Sequence, residues 1–113
     1  MSAITTHILN ISRGRPAAGV TVILEARRGD EFFELARGAT DDDGRCRSLL
    51  PEGQRPEPGI YRLRFETGAY FAARSEAHFY PFVELAFKVE ASDEHYHVPL
   101  LLSPYGYSTY RGS

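Results

Sequence analysis

Residues 60–66 read IYRLRFE and residues 83–90 read VELAFKVE. In the first, Tyr61, Leu63 and Phe65 alternate with Arg62, Arg64 and Glu66; in the second, Val83, Leu85, Phe87 and Val89 alternate with Glu84, Ala86, Lys88 and Glu90. A period of two places each apolar set on one face of an extended chain, so both segments predict strands with one wet face.

Working outward, residues 4–11, 19–27, 32–38 and 95–102 are also rich in Ile, Val, Leu, Phe and Thr, which suit a pleated surface. A short strand after Gly44 and an aromatic, Thr-bearing stretch at 105–111 bring the set to seven or eight. Turn residues fall between them at Arg13-Gly14-Arg15-Pro16, Arg28-Gly29-Asp30, Asp42-Asp43-Gly44, Glu57-Pro58-Gly59 and Ala91-Ser92-Asp93. Short strands at regular spacing predict an all-β protein, a two-sheet sandwich. The one exception is 67–75, TGAYFAARS, where Thr67 is an N-cap candidate ahead of an Ala-rich run long enough for about two helical turns.

The chain has 113 residues, 42% hydrophobic and 25% charged, with a formal net charge of -2. That length supports one core, burying roughly two-thirds of the unfolded surface, and no repeat or linker divides it, so residues 1–113 read as one domain. The balanced charge offers no broad basic field for nucleic acid. No apolar run approaches the roughly 20 residues of a membrane span, and MSAITTHILNISRGRP lacks the pattern of an export signal, which predicts a cytoplasmic protein. The single cysteine, Cys46, cannot form an intramolecular disulfide and reads as a small packed residue.

Strand parity puts His7 on one face with Leu9 and Ile11, and His97 on one face with His95, Pro99 and Leu101. His95-x-His97 would let two imidazoles share a metal ion, but no third ligand stands at suitable spacing. Asp41-Asp42-Asp43-Gly44 lacks the alternating oxygens of a calcium loop and reads as a turn. Arg28-Gly29-Asp30, although it spells an adhesive tripeptide, also reads as a turn. Neither a phosphate-binding glycine loop nor a G-x-S-x-G elbow is present, and nothing calls for a cofactor.

Three blocks carry more: THILNISRGRPAAG at 6–19, TDDDGRC at 40–46 and HYHVPLLLSPYGYSTYRGS at 95–113. They resemble the signatures of the 5-hydroxyisourate hydrolases, enzymatic relatives of transthyretin, and GIYRLRFETGAYF at 59–71 and FYPFVELAF at 79–87 extend the likeness over nearly the whole chain. The resemblance implies a transthyretin-like sandwich with one short helix and an active site of His7, Arg45, His97 and the ending Tyr110-Arg111-Gly112-Ser113. Within that set it implies catalytic roles for His7, Arg45, His97 and Ser113, and substrate contacts from His7, Arg45, Tyr110, Arg111 and Gly112. It further implies hydrolysis of 5-hydroxyisourate to 2-oxo-4-hydroxy-4-carboxy-5-ureidoimidazoline in urate breakdown, by a homotetramer built as a dimer of dimers.

Those residue types suit that chemistry. A neutral imidazole, with an ordinary pKa of about 6.5, can take a proton from water near neutrality. An arginine fork can hold an imide-like edge or a developing oxyanion. The competing expectations are a carrier that uses the same surface to bind a small molecule without chemistry, and an adhesive sandwich working through the turn at 28–30.

Overall fold

A computed structural model describes residues 2–91 and 93–113. Strands β1 (Ile4–Asn10), β2 (Arg15–Pro16), β3 (Thr21–Arg28), β4 (Glu31–Ala39), β5 (Arg45–Cys46) and β6 (Gly59–Phe65) precede helix α1 (Thr67–Ala73). Strands β7 (Val83–Val89), β8 (Tyr96–Ser103) and β9 (Gly106–Thr109) follow it. One sheet runs β2-β1-β8-β9 with β5 also pairing β1, and the other runs β4-β3-β6-β7. The fold is the all-β, two-sheet sandwich with one short helix that the alternation predicts.

The alternation is what closes it. Tyr61, Leu63 and Phe65 turn inward from β6 to meet Val22 and Leu24 of β3, while Ile4 and Ile8 of β1 and Leu100 and Leu102 of β8 face them from the other sheet. Each such side chain, fully withdrawn from water, contributes about 1.5–3 kcal/mol. The polar face of the second sheet is wet and paired: Arg62 bonds Glu25 at 2.7 Å and lies over the Phe32 ring.

Most pairing is antiparallel, but β1 and β8 run parallel along their length, from Ile4 opposite Tyr96 to Asn10 opposite Leu102. Residues about ninety apart in sequence thereby become neighbours in the middle of a sheet.

Several boundaries depart from the sequence reading. Arg15 and Pro16, expected in a turn, form a two-residue strand against Asn10 and Leu9. Local residue preference says nothing of that pairing, because it depends on where β1 lies. The C-terminal strand is shorter than 105–111. Pro99 of β8 has no N–H to offer its other neighbour, so the ladder stops at Thr109, whose hydroxyl donates to the Pro99 carbonyl at 2.7 Å. The chain leaves the sheet at Tyr110 and Arg111 and touches it again where Gly112 bridges to His97.

The helix starts at Thr67 itself, with Glu66 in the cap position and no side-chain cap bond. What anchors its first turn is the Gly68 amide donating to the Pro81 carbonyl at 3.0 Å, where an added Cβ would lie only 2.3 Å from that oxygen. The turn at 28–30 joins β3 to β4 with Gly29 at φ 65°, as expected. The turn expected at Ala91-Ser92-Asp93 lies partly outside the described residues, at Ser92.

Candidate active site

The first site element is the turn before β5. Asp41 accepts hydrogen bonds from the Asp43 amide at 2.9 Å and the Arg45 amide at 3.0 Å, and those donors, the Arg45 amide foremost, hold its carboxyl below the usual carboxylate range. The aspartate run is therefore a turn whose first carboxylate is spent on backbone, as the sequence reading expects. Gly44, at φ 77°, passes so close to β1 that its carbonyl accepts the Ile8 amide at 2.8 Å. The result fixes Arg45 directly opposite His7.

His7 lies on the face of β1 turned away from the core, between buried Thr6 and Ile8. Its Nε2 lies 2.9 Å from the Asp43 carbonyl oxygen. A carbonyl only accepts, so Nε2 carries the proton and Nδ1 is left for water or a ligand.

The second element is the start of β8. Thr5, opposite His97 across the parallel pair, places its hydroxyl 2.8 Å from His97 Nδ1 and 3.1 Å from His95 Nε2. The two imidazoles stack with centroids 6.3 Å apart. Burial, and then the neighbouring charges of His95, Arg45 and His7, push the His97 pKa below its ordinary 6.5. The His97 imidazole is therefore mostly uncharged near pH 7.

Thr5, Thr6, Arg45, Arg47, His95, His97 and Ser113 line a pocket of about 150 Å³. Of the expected set, then, the fold brings Arg45, His97 and Ser113 to one pocket. His7 stands beside Arg45 without lining it, its ring turned to Asp43. Tyr110 and Arg111 face a second hollow, of about 260 Å³, against β7, and His97 is common to both. Arg111 lies over the Tyr96 ring at 4.6 Å and 3.7 Å from Glu94, so its guanidinium is occupied outside the smaller pocket.

Gly112 acts through shape. Its amide donates to the His97 carbonyl at 2.8 Å, and a Cβ there would lie 2.6 Å from His97 Cδ2 and 3.1 Å from Pro99 Cγ. Gly112→Ala is expected to push the imidazole off the Thr5 hydroxyl and lower kcat by roughly 10-fold or more with an unchanged fold. Steady-state rates alongside a circular dichroism spectrum check it, and an unchanged kcat would remove the glycine from the site.

Sequence reasoning missed Thr5 and Arg47. Thr5 was within reach of parity, since positions 5, 7 and 9 share a face, but the β1–β8 register that sets it against His97 is a long-range fact. Cys46 is buried against Gly38, and burial pushes its thiol up, away from nucleophile chemistry. Among the described residues no His, Cys, Asp or Glu joins His95 and His97 to make a metal-binding group of three. None of the described helices is long and apolar enough to cross a membrane.

The sequence profile described as the HIUase/Transthyretin family matches residues 4–112. The chain belongs to that family. Within it, the chain is 49% identical over 117 residues to a 5-hydroxyisourate hydrolase from Caulobacter vibrioides, covering all of both chains. Two members of known structure superpose closely. The 5-hydroxyisourate hydrolase of Klebsiella pneumoniae, 39% identical, matches with a TM-score of 0.84 over 97% of this chain and 92% of its own. Sea bream transthyretin in complex with thyroxine, 31% identical, matches with a TM-score of 0.90 over 98% and 95%. Hydrolases and a thyroxine-binding protein thus share this HIUase/transthyretin sandwich, and fold alone does not choose between them.

Proposed function

We propose that this chain is a 5-hydroxyisourate hydrolase, folded as one domain and acting as a homotetramer, a dimer of dimers. The observation that carries the reading is a neutral, half-buried imidazole and an arginine lining one pocket with Ser113. The identity to named hydrolases supports it. Tyr105, Tyr107 and Tyr110, exposed at 67%, 41% and 57%, and the open edge strand β9 support assembly with further copies.

In this mechanism water attacks a ring carbonyl of 5-hydroxyisourate while His97 Nε2 takes its proton. Negative charge gathers on the carbonyl oxygen, where the Arg45 guanidinium offsets it. The adjoining C–N bond then breaks, the departing nitrogen receives the proton from His97, and the product is 2-oxo-4-hydroxy-4-carboxy-5-ureidoimidazoline. His7, through its free Nδ1, holds a substrate N–H, and Ser113 orients the water. Tyr110, Arg111 and Gly112 complete the substrate's surroundings in the assembly.

The ultraviolet decay of freshly generated 5-hydroxyisourate, with and without the protein, is the test. Acceleration is expected; decay at the spontaneous rate would leave the carrier reading, which the likeness to a thyroxine-binding transthyretin favours. The pH dependence follows from the His97 shift. A base whose pKa is lowered stays deprotonated further into acid, so the acid limb of kcat/KM should be centred below pH 6.5. An acid limb centred above that value would contradict His97 as the base.

A further inference from the structure

We propose that Thr5 and His95 are positioning residues that set the tautomer of His97, forming a hydrogen-bonded chain His97–Thr5–His95 behind the base; this rests on the hydrolase reading above. The Thr5 side chain is buried, with 3% of the residue exposed, and among the described residues its hydroxyl has two partners only, His97 Nδ1 at 2.8 Å and His95 Nε2 at 3.1 Å. A hydroxyl owns one proton. Were both rings to donate to it, that proton would be buried without an acceptor, at the cost of an unmade hydrogen bond. Thr5 therefore donates to one ring and accepts from the other, and the two imidazoles must hold complementary protonation at the nitrogens that face it.

The direction follows from what His97 must do. When Nε2 has taken a proton, both ring nitrogens carry hydrogen, and Nδ1–H can only donate to Thr5. If Thr5 already accepts from Nδ1–H in the resting state, with its own proton given to the lone pair of His95 Nε2, no group turns when charge appears. The opposite arrangement would put hydrogen on Nε2 of His97, the nitrogen not engaged by Thr5, and leave no base there. His95 is thus the terminal acceptor, carrying its own proton on Nδ1. The stacking of the two rings, 22° from parallel, and the parallel register of Thr5 with His97 hold the three groups in line.

The same chain explains why His95 stands beside the base without a third ligand to suggest a metal. It gives the hydroxyl a place to send its proton.

The experiment is nitrogen-15 NMR of the protein labelled at histidine, read with steady-state kinetics on wild type, Thr5→Val, Thr5→Ser and His95→Phe. Wild-type His97 is expected to be protonated at Nδ1 and bare at Nε2 at neutral pH. In Thr5→Val, which keeps the shape and loses the hydroxyl, that preference should vanish and kcat fall by about 10- to 100-fold with KM unchanged. Thr5→Ser should restore both, and in His95→Phe, where the hydroxyl proton has only His97 Nδ1 to go to, the His97 proton should move to Nε2. A wild-type His97 protonated at Nε2 overturns the proposal, whether or not any variant folds. So does a folded Thr5→Val with wild-type tautomer and kcat. If wild type fails to hasten 5-hydroxyisourate decay, the functional reading falls, while the spectrum still decides the hydrogen-bond chain.

Discussion

His97→Asn is expected to lower kcat for 5-hydroxyisourate by about 10³-fold, within the range that a positioned general base contributes, while the protein keeps its fold. Asparagine retains a polar atom within reach of Thr5 and leaves the backbone bond with Gly112 untouched, so the C-terminal segment stays docked. It cannot take a proton from water near neutrality. The residual rate would come from Arg45 and from substrate held in place, groups that the substitution does not touch. Single-turnover decay of 5-hydroxyisourate, with a thermal melt of the same sample, separates loss of the base from loss of structure. A folded variant retaining more than about a tenth of wild-type kcat would move the base elsewhere, with His7 next in line.

Gly44→Ala should be the most damaging small substitution for stability. Two costs coincide there. At φ 77° a side chain strains the backbone by roughly 1–2 kcal/mol, and the new Cβ would stand 2.4 Å from the Ile8 carbonyl oxygen and 3.1 Å from Pro16 Cβ. Neither neighbour is the free end of a flexible side chain, so the turn itself must move, taking Arg45 away from His7. A total of about 2–4 kcal/mol and a melting temperature lower by roughly 10 °C are expected, together with a loss of activity larger than the unfolded fraction explains. Gly14→Ala is the matched control. It has φ 66° but open space around the built Cβ, so it should cost only the strain. Equal melting temperatures for the two variants would show that the contact with Ile8 does not matter.

Much of this fold could be read from patterning, and the reason is physical. Tyr61, Leu63 and Phe65 alternate because one face of β6 is dry, and parity likewise separates His7 from Ile8 and His97 from Val98, although which face meets the core became clear only in the fold. Parity describes one strand at a time. It could not say that β1 lies parallel to β8, and so could not find Thr5, nor that Arg47 would reach the pocket. The missed capping of α1 has a similar cause: Thr67 looks like a cap locally, but the carbonyl of Pro81 claims the first turn. Pro99 is the converse case, a residue whose effect on β9 follows from its missing N–H once its neighbour is known. The C-terminal tetrapeptide was visible as a likeness, yet Ser113 lines one hollow and Tyr110 and Arg111 the other, while Gly112 lies against the His97 ring, where a Cβ would not fit.

The parallel pairing of β1 with β8 has a consequence in time. Thr5 and His97 lie 92 residues apart in sequence, so the central part of the site comes into being only by closing a loop of that length. Such contacts form late and slowly compared with hairpins such as β3–β4. A ribosome-bound chain that has not released its eighth strand cannot set His97 against Thr5, whatever else has collapsed. Turnover during refolding should therefore appear with the slowest phase and lag behind the recovery of bulk sheet signal.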